Sequence, residues 1–238
     1  MERSLIMVNN GVVFFMKLAI VGYGKMGRLI AQLAPEFDFT IHARIERGDD
    51  FSRVEGADVA IEFTRPDAVA GNVDKILAAG VPVVVGTTGW MAEMDRVRSA
   101  VEAHDAALVW GPNFSIGVSI FARVVREAAR LLAKEPGYGA WAWELHHHTK
   151  KDAPSGTLLE LVEVMKAAGY SRPIDIASTR AGAQPGTHEI GFDSTADTIT
   201  LRHTARSREG FARGALKAAQ WIIGRKGCYE FSHVLFGG

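Results

Sequence analysis

The chain has 238 residues, of which 47% are hydrophobic, enough for a substantial core in one large domain or two modest ones. Lys plus Arg equals Asp plus Glu at 27 each, which excludes an overall basic field for nucleic acid or anionic membrane and leaves charged ligands to local recognition. The single cysteine, Cys228, excludes an intrachain disulfide, and with no cysteine pair for zinc or redox work the expected compartment is a reducing cytoplasm.

The opening "MERSLIMVNNGVVFFMKLAIVG" is apolar but broken at Asn9, Asn10 and Gly11. That break and the lack of a small-residue cleavage site argue against export, and no run reaches the roughly 18 apolar residues of a membrane span. Met16 begins "MKLAIVGYGKMG", which has the form of a natural start to a first strand. Residues 1 to 15 are then either an upstream start-site extension or part of the native protein, and N-terminal sequencing separates the two.

From Lys17 the pattern is a buried strand "KLAIVG", a turn "YGKMG" and a helix "RLIAQLAPE". "FTIHARI" and "ADVAIEFT" read as the second and third strands. "RPDAVAGNVDKILAAG" reads as a helix with Pro66 near its first turn and Gly80 at its end. A fourth strand "VPVVVGTT", a helix "MAEMDRVRSAVEAHD" and a strand "AALVWG" follow. Strands alternating with helices predict a Rossmann-type, doubly wound parallel sheet.

After Pro112 the texture changes to a long helix "GVSIFARVVREAARLLAKE", a strand "GAWAWELHHH", a polar loop and a helix "LLELVEVMKAAG". "HEIGFDSTADTITLRHTAR" alternates apolar and polar residues about a turn at Ala196 and Asp197, the mark of an antiparallel hairpin. "FARGALKAAQWIIG" closes the chain as a helix. The second half therefore reads as an α+β unit with an open mixed sheet, suited to pairing with other subunits.

"GYGKMG", comprising Gly22, Tyr23, Gly24, Lys25, Met26 and Gly27, follows a strand, opens a helix and precedes the acidic Glu46 by about 20 residues. In that setting Gly22 makes the tight turn, Gly24 lets the backbone approach a pyrophosphate, and Gly27 lets helix and strand pack closely. The helix N-terminus adds amide donors and partial positive charge, so a nicotinamide dinucleotide is expected. Glu46 suits the ribose hydroxyls of NADH, whereas Arg47 or Arg44 suits the extra phosphate of NADPH, and use of both is expected.

"ELHHHTKKDAPSGT", Glu144 to Thr157, places three histidines and two lysines before Pro-Ser-Gly-Thr. On a strand His146 and His148 share a side and His147 does not, and no spaced Cys, Glu or His set completes a metal site, so no metal is expected. "SGTLLE" reads as a helix start, with Thr157 and Glu160 at capping-box spacing. Amides near Gly156 and Thr157 then suit a carboxylate or phosphate, beside Lys150 and an imidazole as two potential acids. Reduction of an anionic substrate by hydride needs that combination.

The stretch resembles E-x-H-H-x-x-K-x-D-x-P-S-G-T, the signature of dihydrodipicolinate reductases of lysine and diaminopimelate biosynthesis. "VGYGKMGR", "IEFTRP", "VVVGTTGW", "PNFSIGV" and "HTARSREGFARGALKAAQWI" are similar to further segments of that family, so the likeness runs from about Lys17 to Ile223. It implies a dinucleotide-binding domain of residues 16–112 and 209–238, interrupted by a substrate and tetramerisation domain of residues 113–208. It also implies reduction of (2S,4S)-4-hydroxy-tetrahydrodipicolinate to tetrahydrodipicolinate with loss of water, using NADH or NADPH, in a homotetramer.

By the same resemblance His146 and Lys150 fall on proton-transfer positions, and His147, Gly156 and Thr157 on substrate contacts. Gly86, Thr87, Thr88, Gly111, Pro112, Asn113 and Phe114 fall on cofactor contacts, and Arg208 near a hinge. His148 and Thr149 depart from the family pattern and take no role, and the glycine loop is one residue shorter than the usual GxxGxxG. Trp90 and Trp110 stand near the cofactor loops, where packing is the plainer reading. The alternatives are another NAD(P)-dependent amino-acid or semialdehyde dehydrogenase, or a non-enzymatic nucleotide sensor. Both explain the glycine turn, but neither explains two candidate acids beside an anion cradle.

Overall fold

The computed structural model describes residues 4–8 and 11–237. The chain divides into two compact units, one of Met1–Ile116 with Phe211–Gly238 and one of Gly117–Gly210. The first unit runs β1 Ser4–Val8, β2 Gly11–Val21, α1 Lys25–Leu33, β3 Phe39–Ile45, β4 Val59–Glu62, α2 Val69–Ala78, β5 Val83–Val85, α3 Met94–Ala103 and β6 Ala107–Trp110. The second holds most of α4 Ile116–Leu132, then β7 Gly139–His146, α5 Gly156–Ala167, β8 Ile174–Arg180, β9 Gly186–Asp193 and β10 Thr198–Ala205. Helix α6 Glu209–Ile222 leads back into the first unit, which ends with β11 Gly227–Glu230 and α7 Phe231–Phe236.

In the first unit β3, β2, β4, β5, β6 and β11 lie side by side and parallel, the doubly wound sheet the alternating pattern predicts. Its central strands are buried on both faces, so they read as continuous apolar runs. Leu18 and Ile20 of β2 pack with Ile30 of α1 and Leu216 and Ile222 of α6. The alternate residues Ala19 and Val21 pack with Val73 and Ile76 of α2 and Val97 of α3. Each such side chain contributes about 1.5–3 kcal/mol by leaving water.

The first strand begins at Gly11 rather than Lys17, and its early half pairs antiparallel with β1. Of the expected extension, residues 1–3 and 9–10 lie outside the described residues. Because β3 and β4 flank β2 on opposite sides, the chain reverses direction of travel across the sheet there. Ligands of such sheets bind beyond the carboxyl ends of the strands at that reversal, which here are Val21 and Glu62.

The second unit is a mixed sheet in the order β10, β9, β7, β8. Phe121 and Val125 of α4, Leu158, Leu161 and Met165 of α5, and Ala142, Ile190 and Phe192 of the sheet share one core. β9 and β10 form the expected antiparallel hairpin, closed by the Ser194 amide donating to the Asp197 carbonyl at 2.9 Å. β8 was not expected: it is parallel to β7 and largely exposed, so it lacks an apolar stripe. Among the described residues no helix is long and apolar enough to cross a membrane.

Candidate active site

Side chains alternate along β7, and the residues sharing the helix-covered face with Ala142 are Glu144 and His146. Register sets Glu144 opposite Ser178 of β8 and His188 of β9, and His146 opposite Arg180. His203 of β10 lies opposite His188. An apolar face thus ends in a buried polar cluster that sequence spacing alone does not reveal.

Glu144 is fully buried yet well supplied with donors. Its Oε1 accepts from the Ser155 amide at 2.9 Å, the Ser178 hydroxyl at 2.9 Å and the Arg180 guanidinium at 2.7 Å, and its Oε2 accepts from the Ser155 hydroxyl. Burial pushes this carboxyl up, but the bonds from Ser155, Arg180 and Ser178 outweigh it and hold it below its ordinary value. Glu144 is therefore ionised at neutral pH.

His146 is 6% exposed, with Nδ1 3.4 Å from Glu144 Oε2. Burial holds its imidazole below the usual range, Glu144 pulls the other way, and Lys150 and Arg180 reinforce the depression. His188 is pushed down to about 4 by burial and then by neighbouring His146, whose ring lies edge-on with centroids 5.1 Å apart. Both imidazoles are neutral at pH 7.

Glu144, His146 and His188 bring three potential metal-binding atoms within 4.8 Å of one another, a grouping the sequence reading did not weigh. The donor set fits hydrogen bonding better than an ion. The carboxylate already carries the Arg180 cation at 2.7 Å, which competes with any metal for the same charge.

The signature loop supplies the exposed partners. β7 ends at His146, so His147 and His148 leave the strand, and His148 does not share a side with His146 as expected. Its Nδ1 instead donates to the Gly182 carbonyl at 2.9 Å. His147 Nδ1 meets the Thr149 hydroxyl at 2.7 Å. Lys150, 24% exposed, pairs with Asp152 at 2.9 Å.

The helix start also differs from expectation. Ser155, not Thr157, caps α5, its hydroxyl accepting from the Leu158 amide at 3.2 Å. The amides of Gly156 and Thr157 lie in the first turn, where no intrahelical acceptor exists. Gly156 is exposed, and nothing lies within 4 Å of where its Cβ would be.

In the first unit Gly22 has φ +96°, and a Cβ there would lie 2.0 Å from the Phe63 carbonyl oxygen. A Cβ on Gly27 would lie 2.2 Å from the Gly22 oxygen, so both glycines are demanded by close packing. Gly24 caps α1 without a side-chain bond and has nothing within 4 Å of its missing Cβ. Space and unpaired helix amides together fit a dinucleotide's pyrophosphate. Tyr23 flanks the turn, with the Arg44 guanidinium 5.0 Å from its ring centroid. Lys25 and Met26 form the first turn of α1, and Glu46 and Arg47 are exposed beyond β3.

The other expected cofactor contacts divide. Thr88 and Pro112 are exposed, and Asn113 accepts from the Ser115 amide at 2.8 Å. Thr87 turns inward, accepting from the Thr64 amide and donating to buried Glu62, both at 2.7 Å. Phe114 packs on Phe231 with centroids 4.7 Å apart. Gly86 and Gly111 are closed in by Phe63 and Phe231. Thr87 and Phe114 can therefore meet a cofactor through their main chain only. Trp90 donates to the Thr87 carbonyl at 2.9 Å and packs edge-on against Trp110. Arg208 lies exposed just before α6.

A model of the dihydrodipicolinate reductase N-terminus matches residues 16–114, and one of the C-terminus matches residues 117–235. The chain belongs to the dihydrodipicolinate reductase family. The 4-hydroxy-tetrahydrodipicolinate reductase of Christiangramia forsetii is 32% identical over 92% of this chain and 98% of its own length. That of Archaeoglobus fulgidus is 37% identical over 79% of each chain. A dihydrodipicolinate reductase structure from Paenisporosarcina sp. TG-14, described as dipicolinate-bound, aligns with TM-score 0.75 at 21% identity, covering 93% of this chain and 100% of that one. Dihydrodipicolinate reductases are NAD(P)H-dependent oxidoreductases, and NADH or NADPH is the cofactor.

Glu144, Ser155, Arg180 and His188 are the residues sequence reasoning missed at this site. Glu144 and Ser155 stood inside the quoted signature without a role. Arg180 and His188 join it only through sheet register.

Proposed function

We propose that this dihydrodipicolinate reductase reduces (2S,4S)-4-hydroxy-tetrahydrodipicolinate to tetrahydrodipicolinate, consuming NADH or NADPH and a proton and releasing water. The observation that carries the reading is the uncapped Gly156 and Thr157 amides following, in one loop, the Lys150 cation and neutral His146. Two amides at a helix N-terminus bind one carboxylate of a dicarboxylate, and Lys150 supplies charge for the same anion. The Gly22–Gly27 turn would hold the pyrophosphate, with Glu46, Arg47 and Arg44 placed for the adenosine ribose and its phosphate, and the nicotinamide would supply the hydride.

Hydride addition to a conjugated imine drives electron density onto an adjacent atom, which must be protonated as charge develops. We assign delivery of this proton to Lys150, four residues beyond His146 in the signature. His146 accepts and returns protons beside it. His147, in the loop that follows the strand, contacts the substrate.

Coupling the protein to purified dihydrodipicolinate synthase and following NADH and NADPH oxidation by absorbance tests the reaction. Substrate-dependent oxidation is expected with both cofactors, and none with either overturns the proposal. We also infer a cytoplasmic homotetramer assembled through the β9–β10 hairpin. β10 is a half-bare edge, with Ile199 40% exposed, which supports pairing with another copy.

A further inference from the structure

We propose that Glu144 and His188 are positioning residues for His146, linked through Ser155 in one hydrogen-bonded chain that fixes which ring nitrogen of His146 carries the proton. The inference deepens the catalytic role given to His146 and rests on that reading.

Proton counting sets the direction of every bond. A hydroxyl has one proton and two lone pairs, and an ionised carboxylate only accepts. Ser155 Oγ therefore gives its proton to Glu144 Oε2. One of its lone pairs takes the Leu158 amide at 3.2 Å. The other takes His188 Nε2 at 3.3 Å, so His188 carries its proton on Nε2.

Glu144 Oε1 is filled by Ser155, Ser178 and Arg180, so the capacity left on the carboxylate is at Oε2. Two buried ring nitrogens face it: His188 Nε2 at 3.7 Å, already bonded to Ser155, and His146 Nδ1 at 3.4 Å, otherwise without a partner. With the His146 ring turned so that Nδ1–H points at Oε2, this pair becomes a donor to a carboxylate, worth more than a neutral bond in a buried setting. His146 Nε2 is then the free lone pair, the nitrogen able to take up a proton.

Room around that nitrogen is kept by Gly186, where a Cβ would stand 2.9 Å from Nε2. The groups that set the proton affinity of His146 come from every neighbouring element. Glu144 on β7 and Asp152 in the loop raise it, while Lys150 in the loop and Arg180 on β8 lower it. His188 on β9 couples to His146 and His203 on β10 to His188. Glu144 is the strongest of the raising groups.

The test is nitrogen-15 NMR of histidine-labelled full-length protein at pH 7, with the His146 signal assigned by its loss in His146→Gln. The expected pattern is Nδ1–H for His146 and Nε2–H for His188. Finding Nε2–H on His146 in the unaltered protein overturns the proposal without any variant, and independently of turnover. Glu144→Gln is expected to shift the His146 tautomer, move the acid limb of the kcat–pH profile down, and lower kcat at least about tenfold with KM for NADPH unchanged.

His188→Gln keeps a donor for Ser155 and is expected to retain more than half of kcat, whereas His188→Leu loses at least about tenfold. Equal kcat in these two variants rejects a positioning role for His188. An unchanged tautomer in folded Glu144→Gln rejects it for Glu144. A failed coupled assay with the expected tautomers would instead reject the reaction and leave the relay standing.

Discussion

A histidine held neutral in a folded protein makes that fold sensitive to acid. His188 titrates near 6.5 when unfolded and at about 4 when folded. Between those values the unfolded chain binds the extra proton, so stability rises with pH from about 4 to 6.5 and is flat above. The span corresponds to about 3 kcal/mol. Urea unfolding at pH 7 and pH 4.5 measures it, and His188→Gln should flatten the dependence by most of that amount. His146 shifts in the same direction and adds to the slope.

Catalysis separates at the same scale. His146→Gln should lower kcat by about 100-fold or more while nucleotide affinity stays near normal, as equilibrium NADPH titration would show. Lys150→Ala should lower kcat and also raise KM for the dicarboxylate, since it removes a cation facing a carboxylate; steady-state kinetics with both values unchanged would reject the assignment. Glu46 and the two arginines are all exposed near the glycine turn. A specificity ratio between NADH and NADPH below about 10³ is expected, because a larger one needs about 4 kcal/mol of discrimination.

His146, Lys150, Gly156 and Thr157 could be picked out together because they fall within one stretch of chain. The rest of the buried cluster could not, because Arg180 and His188 reach Glu144 only through sheet register. The capping assignment failed for a local reason. Thr157 and Glu160 have capping-box spacing, but Ser155 two residues earlier has the extended backbone, and its hydroxyl accepts the Leu158 amide.

Among the elements, the long apolar strands and amphipathic helices followed from period alone. β8 escaped notice because "IDIASTR" is exposed along most of its length, so no core selects its pattern. β11 and α7 are short and follow the helix taken as the last. Small residues carry meaning here that propensity hides. Gly214 lies inside α6, where Ala would gain about 1 kcal/mol of helix propensity, yet its Cβ would stand 1.8 Å from the Phe114 carbonyl oxygen. A backbone clash of that size costs about 1–3 kcal/mol or more, so packing wins. Gly214→Ala should lower the urea midpoint rather than raise it.

For the whole molecule, the homotetramer inference predicts that a charge on the β10 edge disrupts assembly. Thr200 is exposed in that strand. Thr200→Lys should shift the sedimenting species from tetramer to smaller forms in analytical ultracentrifugation, and an unaltered tetramer would remove the hairpin as the interface. The change of texture after Pro112 falls close to the start of the Gly117–Gly210 unit. The return of the chain to supply a strand as well as a helix was not readable, because β11 has only four residues.

That returning strand bears on how the protein is made. β11 pairs with β6, so the edge of the nucleotide sheet is completed by residues 227–230, long after β6 at residues 107–110 has been synthesised. At about 5–20 residues per second the nascent chain carries an open β6 edge for on the order of ten seconds. The unit of Gly117–Gly210 is continuous and completes its own sheet within that interval. Ribosome-bound chains stalled before Gly227 should therefore present an unpaired parallel edge that is open to pairing with another chain on a polysome.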